Sequence, residues 1–233
     1  MKSGGQGPVS SSRRGNARPE GPGGFRSISW AIWLVFGLCL LHEAFFSGAE
    51  AGLWGDPRAR LVGIDYLAFW SGLLGDWRPN YVAQPYLMFL TYGFLHAGLE
   101  HFAVNMIMLF TLGAPIAAIV GGWRFLATYA LMLIAGAGVF AIFPETGAPM
   151  VGASGALYGL AAIVLAWNIE SRRTEGQSTK PVLRIVIMLV GLNVVLWWAM
   201  NGQLAWQAHL GGFIAGWALT FVFPSLRSSG SSC

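Results

Sequence analysis

Serine 154 sits among small residues in VGASGALYGL, Val151–Leu160, where an apolar run begins. A hydroxyl there has two uses. It caps a helix, because serine is a favoured N-cap, or it attacks a carbonyl, provided a base is close enough to take its proton. The candidate base is His209, near the start of AHLGGFIAG, Ala208–Gly216. A third stretch, HAGLEHFAVN, His96–Asn105, places His101 and Asn105 at i, i+4, so both lie on one helix face. Both are polar side chains in an otherwise apolar run, which makes them functional candidates. His96, five positions before His101, points elsewhere or belongs to the preceding loop. A serine nucleophile with a histidine base in reach is a pattern of acyl transfer. Each has an ordinary reading too: a cap, a histidine hydrogen-bonded between helices, an asparagine giving packing polarity.

The elements that must position these residues are membrane helices. The chain is 55% hydrophobic and only 10% charged, far below the roughly 25% charged residues of a soluble domain. Six apolar stretches follow one another: Ile28–Phe46, Phe102–Val120, Phe125–Phe143, Gly155–Ile169, Ile185–Met200 and Ala205–Phe223. Four have spanning length, and the fourth and fifth are short. Leu61–Trp77 is also apolar but carries Asp65, Asp76 and several glycines. With a cytoplasmic N-terminus and six spans, every basic residue except Arg58, Arg60 and Arg78 falls inside, and every acid except Glu20, Glu170 and Glu175 falls outside. This is the positive-inside pattern. Making Leu61–Trp77 a span would invert it, so that stretch belongs to an outer loop lying partly in the interface.

The expected fold is therefore an all-α polytopic membrane protein, a six-helix bundle with a long first outer loop. Its parts are a disordered cytoplasmic tail (1–27), a membrane domain (28–223) whose outer loop covers 47–95, and a short cytoplasmic tail (224–233). SGAEAG, Ser47–Gly52, has the small-x-small pattern of a signal-peptidase site, but the length of the run before it fits an anchor better than a cleaved signal.

Depth links the polar residues. At about 1.5 Å rise per residue, Ser154 lies roughly 24 Å above Glu170, His209 roughly 22 Å above Pro224 and Asn105 roughly 22 Å above Val120. Three helices thus bring three polar side chains to one level in the outer half of the bilayer. Intramembrane polar residues are functional candidates by default. Ala208, Gly212 and Gly216 form a small-residue strip on the last helix, and Gly155, Ala156, Gly159 and Ala162 line the fourth. Close approach along these strips lets His209 reach a serine hydroxyl. The fourth stretch is too short to cross fully, which recesses Ser154 below the outer surface.

With this topology, HAGLEHFAVN, GASGALYG (Gly152–Gly159) and AHLGGFIAG resemble the three signatures of rhomboid intramembrane serine proteases, over roughly residues 28–223. The resemblance implies Ser154 as nucleophile and His209 as general base, a dyad without a carboxylate. It implies an oxyanion hole from His101, Asn105 and the Ser154 backbone N–H. Gly152 matches the first glycine of G-x-S-G, Tyr158 a tyrosine packed on the catalytic histidine, and His96 a position tying the first loop to the core. Gly212 belongs to the last signature. Many members carry Trp-Arg in the first loop where this chain has Leu87-Met88, and Trp77-Arg78 lies ten residues too early. That leaves the packing of the loop open.

The expected activity is endopeptidase cleavage of transmembrane segments in other membrane proteins, near helix-breaking and small residues. The outer segment and the connection between the fifth and sixth helices are candidate gates. The alternative is a catalytically silent rhomboid-like protein that binds transmembrane clients. A zinc protease needs H-E-x-x-H, and His42-Glu43 is followed by Phe46 at the last position. An aspartyl enzyme needs two membrane aspartates, whereas Asp56, Asp65 and Asp76 all lie in the outer loop. A transporter predicts polar residues at several depths and an internal repeat. Neither Cys39 nor Cys233 suggests a disulfide or a metal site. No cofactor, metal, nucleic acid or obligate partner is called for; the partners are the lipid bilayer and transmembrane substrates. The charge pattern favours a bacterial inner membrane with both termini cytoplasmic and the site opening outward, while the Arg/Ser-rich start of the tail leaves an organelle open.

Overall fold

The computed structural model describes residues 28–143 and 147–222; the expected tails lie outside the described residues. The described chain is helical. Each apolar stretch forms a long helical segment: α1 (Trp30–Glu50), α4–α5 (Leu99–Met108 and Ala114–Val120), α6 (Gly122–Ile142), α7 (Ser154–Thr174), α8 (Lys180–Ala199) and α9 (Trp206–Val222). The outer loop adds two short helices, α2 (Ala59–Leu67) and α3 (Gln84–Thr91). Among the described residues, four units are long and apolar enough to cross a membrane: α1, α4–α5, α6 and α8. The fifth stretch, expected to be short, is one of them because α8 already starts at Lys180, while α9 is described over 17 residues.

The α4–α5 unit widens to a π-turn over Leu109–Gly113. Pro115 lacks the N–H that would bond the Thr111 carbonyl, and its ring would press on that oxygen, so the extra residue in the turn makes room. Helix α7 corrects the expected Gly155–Ile169. It continues through Glu170, Arg172 and Arg173 to Thr174, because residues past the apolar run still form a favourable charged last turn at the negative end of the helix dipole.

Helix α7 is the centre of the bundle. From Gly155 to Ile163 every residue is buried. Helix α9 lies between α6 and α7, and the contacts are backbone to backbone. A Cβ on Gly212 would collide with the Gly155 carbonyl, and one on Gly216 with the Gly159 carbonyl. On the α6 side, a Cβ on Gly211 would sit 2.6 Å from the Ala135 carbonyl oxygen. Glycine strips are therefore what allow the two helices to touch.

The outer loop is held without a Trp-Arg pair. Met88 is fully buried in α3, and Arg60 of α2 takes the tethering role. Its guanidinium donates to Glu43 at 2.8 and 3.0 Å, to Glu50 at 2.7 and 2.9 Å, to Ser47 at 3.1 Å and to the His96 carbonyl at 2.8 Å. Thr91 and Gln84 of α3 donate to the carbonyls of Leu67 and Asp65. Phe69 and Met150 exchange two backbone hydrogen bonds of 3.0 and 2.9 Å, and Gly152 N–H bonds the Tyr92 carbonyl at 3.0 Å. The loop thus holds the extended residues that lead into α7 and so fixes where α7 begins.

Candidate active site

Ser154 is the first residue of α7, as the small-residue run predicts, but it is not the cap. Ala153 occupies the N-cap and makes no side-chain capping bond. The Ser154 hydroxyl turns instead to α9, where Oγ lies 2.7 Å from His209 Nε2. One turn further along α7, the Tyr158 ring stacks on the imidazole, with centroids 4.2 Å apart and planes 7° from parallel. Ser154 and Tyr158, at i and i+4, share the face that the glycine contacts press against α9.

The other imidazole nitrogen meets a residue that the motif reading missed. His209 Nδ1 lies 2.6 Å from Asn193 Oδ1 on α8. Asn193 Nδ2 donates to the Tyr158 hydroxyl at 2.6 Å and to the Leu189 carbonyl at 2.9 Å. The sequence does carry a signal: Asn193 is the one side-chain hydrogen-bonding polar group of the aliphatic part of Ile185–Val195. Nothing in its local pattern separates a functional asparagine from packing polarity.

On the other side of Ser154 stands His101. Its Nδ1 accepts from the Ala97 N–H at 3.3 Å, so the neutral ring carries its proton on Nε2. That nitrogen faces the start of α7: a Cβ on Gly152 would sit 2.9 Å from it and 3.8 Å from Ser154 Oγ. Gly152 also has φ +120°, so space and backbone both demand glycine there. Asn105 is buried, and its Nδ2 donates to the His101 carbonyl at 2.7 Å, which leaves its second N–H for another acceptor. As the first residue of α7, Ser154 has a backbone N–H without a carbonyl one turn earlier to bond.

His96 lies in the loop before α4, its ring edge-on to His101 at 5.2 Å and to Phe102 at 5.5 Å. Its tie to the outer loop runs through the backbone carbonyl that Arg60 bonds. Burial, then the charges of His101, Arg60 and His42, push the His96 imidazole down to about 3, so it is neutral at physiological pH. Beside His209 an apolar cavity of about 630 Å³ opens between α8 and α9, lined by Tyr158, Asn193, Trp197, Trp206 and Phe213 among others.

Residues 83–225 match the family model for the rhomboid domain. The chain belongs to the rhomboid family. Rhomboid-related protein 3 of Homo sapiens is 27% identical over 203 residues, covering 82% of this chain and 48% of the relative. Rhomboid-type serine protease 2 of Emericella nidulans is 30% identical over 131 residues, 54% of this chain and 24% of the relative. Inactive rhomboid protein 1 of Danio rerio is 32% identical over 162 residues, 68% of this chain and 18% of the relative. The chain thus spans about half the length of these relatives or less. As a rhomboid with, among the described residues, four helical units long and apolar enough to cross a membrane, it is an integral membrane protein.

Proposed function

We propose that this rhomboid is an intramembrane serine endopeptidase that cleaves transmembrane segments of other membrane proteins. The observation that carries the reading is the 2.7 Å contact between Ser154 Oγ and His209 Nε2, made across two helices that glycines bring into backbone contact. His209 Nε2 takes the hydroxyl proton as Oγ attacks the scissile carbonyl, and the same proton then goes to the leaving amine. The Ser154 N–H, the His101 Nε2–H and the second N–H of Asn105 are the donors for the oxyanion. Losing one such donor costs on the order of 10²–10³ in rate in other serine proteases. Water then releases the acyl group with His209 again as base.

The substrate approaches through the apolar cavity between α8 and α9. A helix must unwind for its backbone to reach Ser154, so cleavage favours segments weakened by glycine or proline. The charge distribution supports cytoplasmic termini and a site facing the outer side, as in a bacterial inner membrane.

The test is labelling of the purified, detergent-solubilised protein by a fluorescent fluorophosphonate, beside Ser154→Ala and His209→Ala. Labelling of the wild type that both substitutions abolish is the expected result. A folded wild type that does not label would overturn the reading and favour a silent, client-binding rhomboid, a class represented among the similar proteins by one named inactive.

A further inference from the structure

We infer that Asn193 is a positioning residue of this site, locking His209 in the one tautomer that can accept the serine proton and tying that lock to the seating of helix α8. The inference rests on the serine protease reading. Its geometry is fixed by an acceptor that cannot be reversed. The Leu189 carbonyl only accepts, so the atom 2.9 Å from it is the amide NH₂ of Asn193. The amide oxygen must then face His209, and at 2.6 Å from Nδ1 it requires the proton on that nitrogen. Nε2 is left with a lone pair aimed at Ser154 Oγ, 2.7 Å away. In a Ser-His-Asp protease the third residue holds the imidazole this way, and a wrong tautomer lowers kcat about 10⁴-fold. A neutral amide does so here without placing a carboxylate among apolar helices, where an unpaired charge is expensive.

The second half of the inference concerns where Asn193 sits. Among the described residues of α8, Val182 is the only buried one, and it lies near the opposite end from Asn193. At the level of the site, α8 reaches α7 and α9 through Asn193: to Tyr158 by Nδ2 and to His209 by Oδ1. The cavity lies between the same two helices, α8 and α9. Separating them to admit a substrate breaks the Asn193–His209 bond, so the base is set for catalysis only when α8 is seated. Opening and proton transfer are thereby coupled through one hydrogen bond.

Two readouts on the full-length protein in detergent test this. ¹⁵N NMR of histidine-labelled protein at neutral pH, with His209 assigned by comparison with His209→Ala, reports which ring nitrogen carries the proton. The second readout is the rate of fluorophosphonate labelling, with the thermal unfolding midpoint measured alongside. The wild type is expected to show His209 protonated on Nδ1. Asn193→Ala should lose that preference and label about 100-fold more slowly at an unfolding midpoint within a few degrees of wild type. Asn193→Asp, whose protonated form still offers an acceptor, should keep the tautomer and recover labelling to within about tenfold. Wild-type labelling and tautomer in Asn193→Ala would overturn the inference, as would an Asp variant no better than Ala. Should Asn193→Ala not fold, Asn193→Leu preserves the bulk and carries the same comparison. A wild type that fails to label overturns the protease reading instead, while the NMR tautomers still decide whether Asn193 holds His209.

Discussion

Helices α7 and α8 are nearly equal in length, 21 and 20 residues, and both send a side chain to the imidazole of His209. They are built on opposite plans. α7 is buried along its upper half and locked to α9 by glycines that let one backbone rest directly on the other. α8 is a greasy rod with 6% of its most apolar window buried inside the protein, against 39–44% for the other three long apolar units. Hydropathy alone ranks α8 as the best spanning helix, and it is the least integrated. On the protease reading, the contrast makes one site rigid at Ser154 and yielding at α8. The Ser154–His209 pair needs a geometry fixed within fractions of an ångström, which interlocked backbones provide. On the same reading a substrate enters beside α8, the helix with the fewest buried residues to hold it in place.

The comparison breaks most easily where α7 meets α9. Gly212→Val places a side chain where the Gly155 carbonyl already lies, so the helices must separate. Overpacking of this kind destabilises by about 1–3 kcal/mol or more, and a shift of about 1 Å in reacting groups costs on the order of 10²-fold. Loss of fluorophosphonate labelling by at least that factor, with a lowered unfolding midpoint, is expected. Wild-type labelling would show that the glycine packing does not set the site. Arg60→Ala in the outer loop acts on stability rather than on labelling, and should lower the unfolding midpoint more than Gly212→Val does. It strands Glu43, which is only 1% exposed, and breaking a buried pair this way costs about 3–5 kcal/mol. Glu50→Gln should cost far less, because that carboxylate is 42% exposed and such pairs contribute about 0–1 kcal/mol.

A pH titration sharpens the same division between buried and yielding parts. His96 has its proton affinity pushed down to about 3 in the folded loop, whereas the unfolded chain protonates it near 6.5. Its contribution is complete above pH 6.5 and is lost as pH falls from there toward 3, since the unfolded state binds the extra proton. Unfolding midpoints measured from pH 7.5 to 5 should fall, and fall less steeply in His96→Gln; parallel curves would exclude His96 as a source. The smallest effect belongs to α8. Val194→Ala, at a side chain 60% exposed, should leave stability within about 0.5 kcal/mol, and a larger loss would mean that α8 is packed more firmly than its exposure implies.

Much of this was legible in the chain. The six apolar stretches coincide with the six long helical segments to within a few residues at most ends, because length and hydropathy alone govern where a helix can sit in lipid. Ser154 and His209, brought to one depth by counting 1.5 Å steps, do meet. The cap reading of Ser154 failed because Ala153 holds that position and the hydroxyl is drawn to a stronger partner. The missing Trp-Arg pair left the outer loop unexplained, since the residues that hold it, Glu43, Glu50 and Arg60, are far apart in sequence and ordinary in type.

The sequence by itself determined the apolar segments, the charge asymmetry of the loops between them, the level of the polar groups and the glycine strips that permit close approach, because each follows from local chemistry repeated along one helix. Tertiary structure alone decided that Asn193 faces His209 and which way its amide points. Those depend on three helices meeting at one point, and no periodicity within any one of them encodes the rotation of the other two.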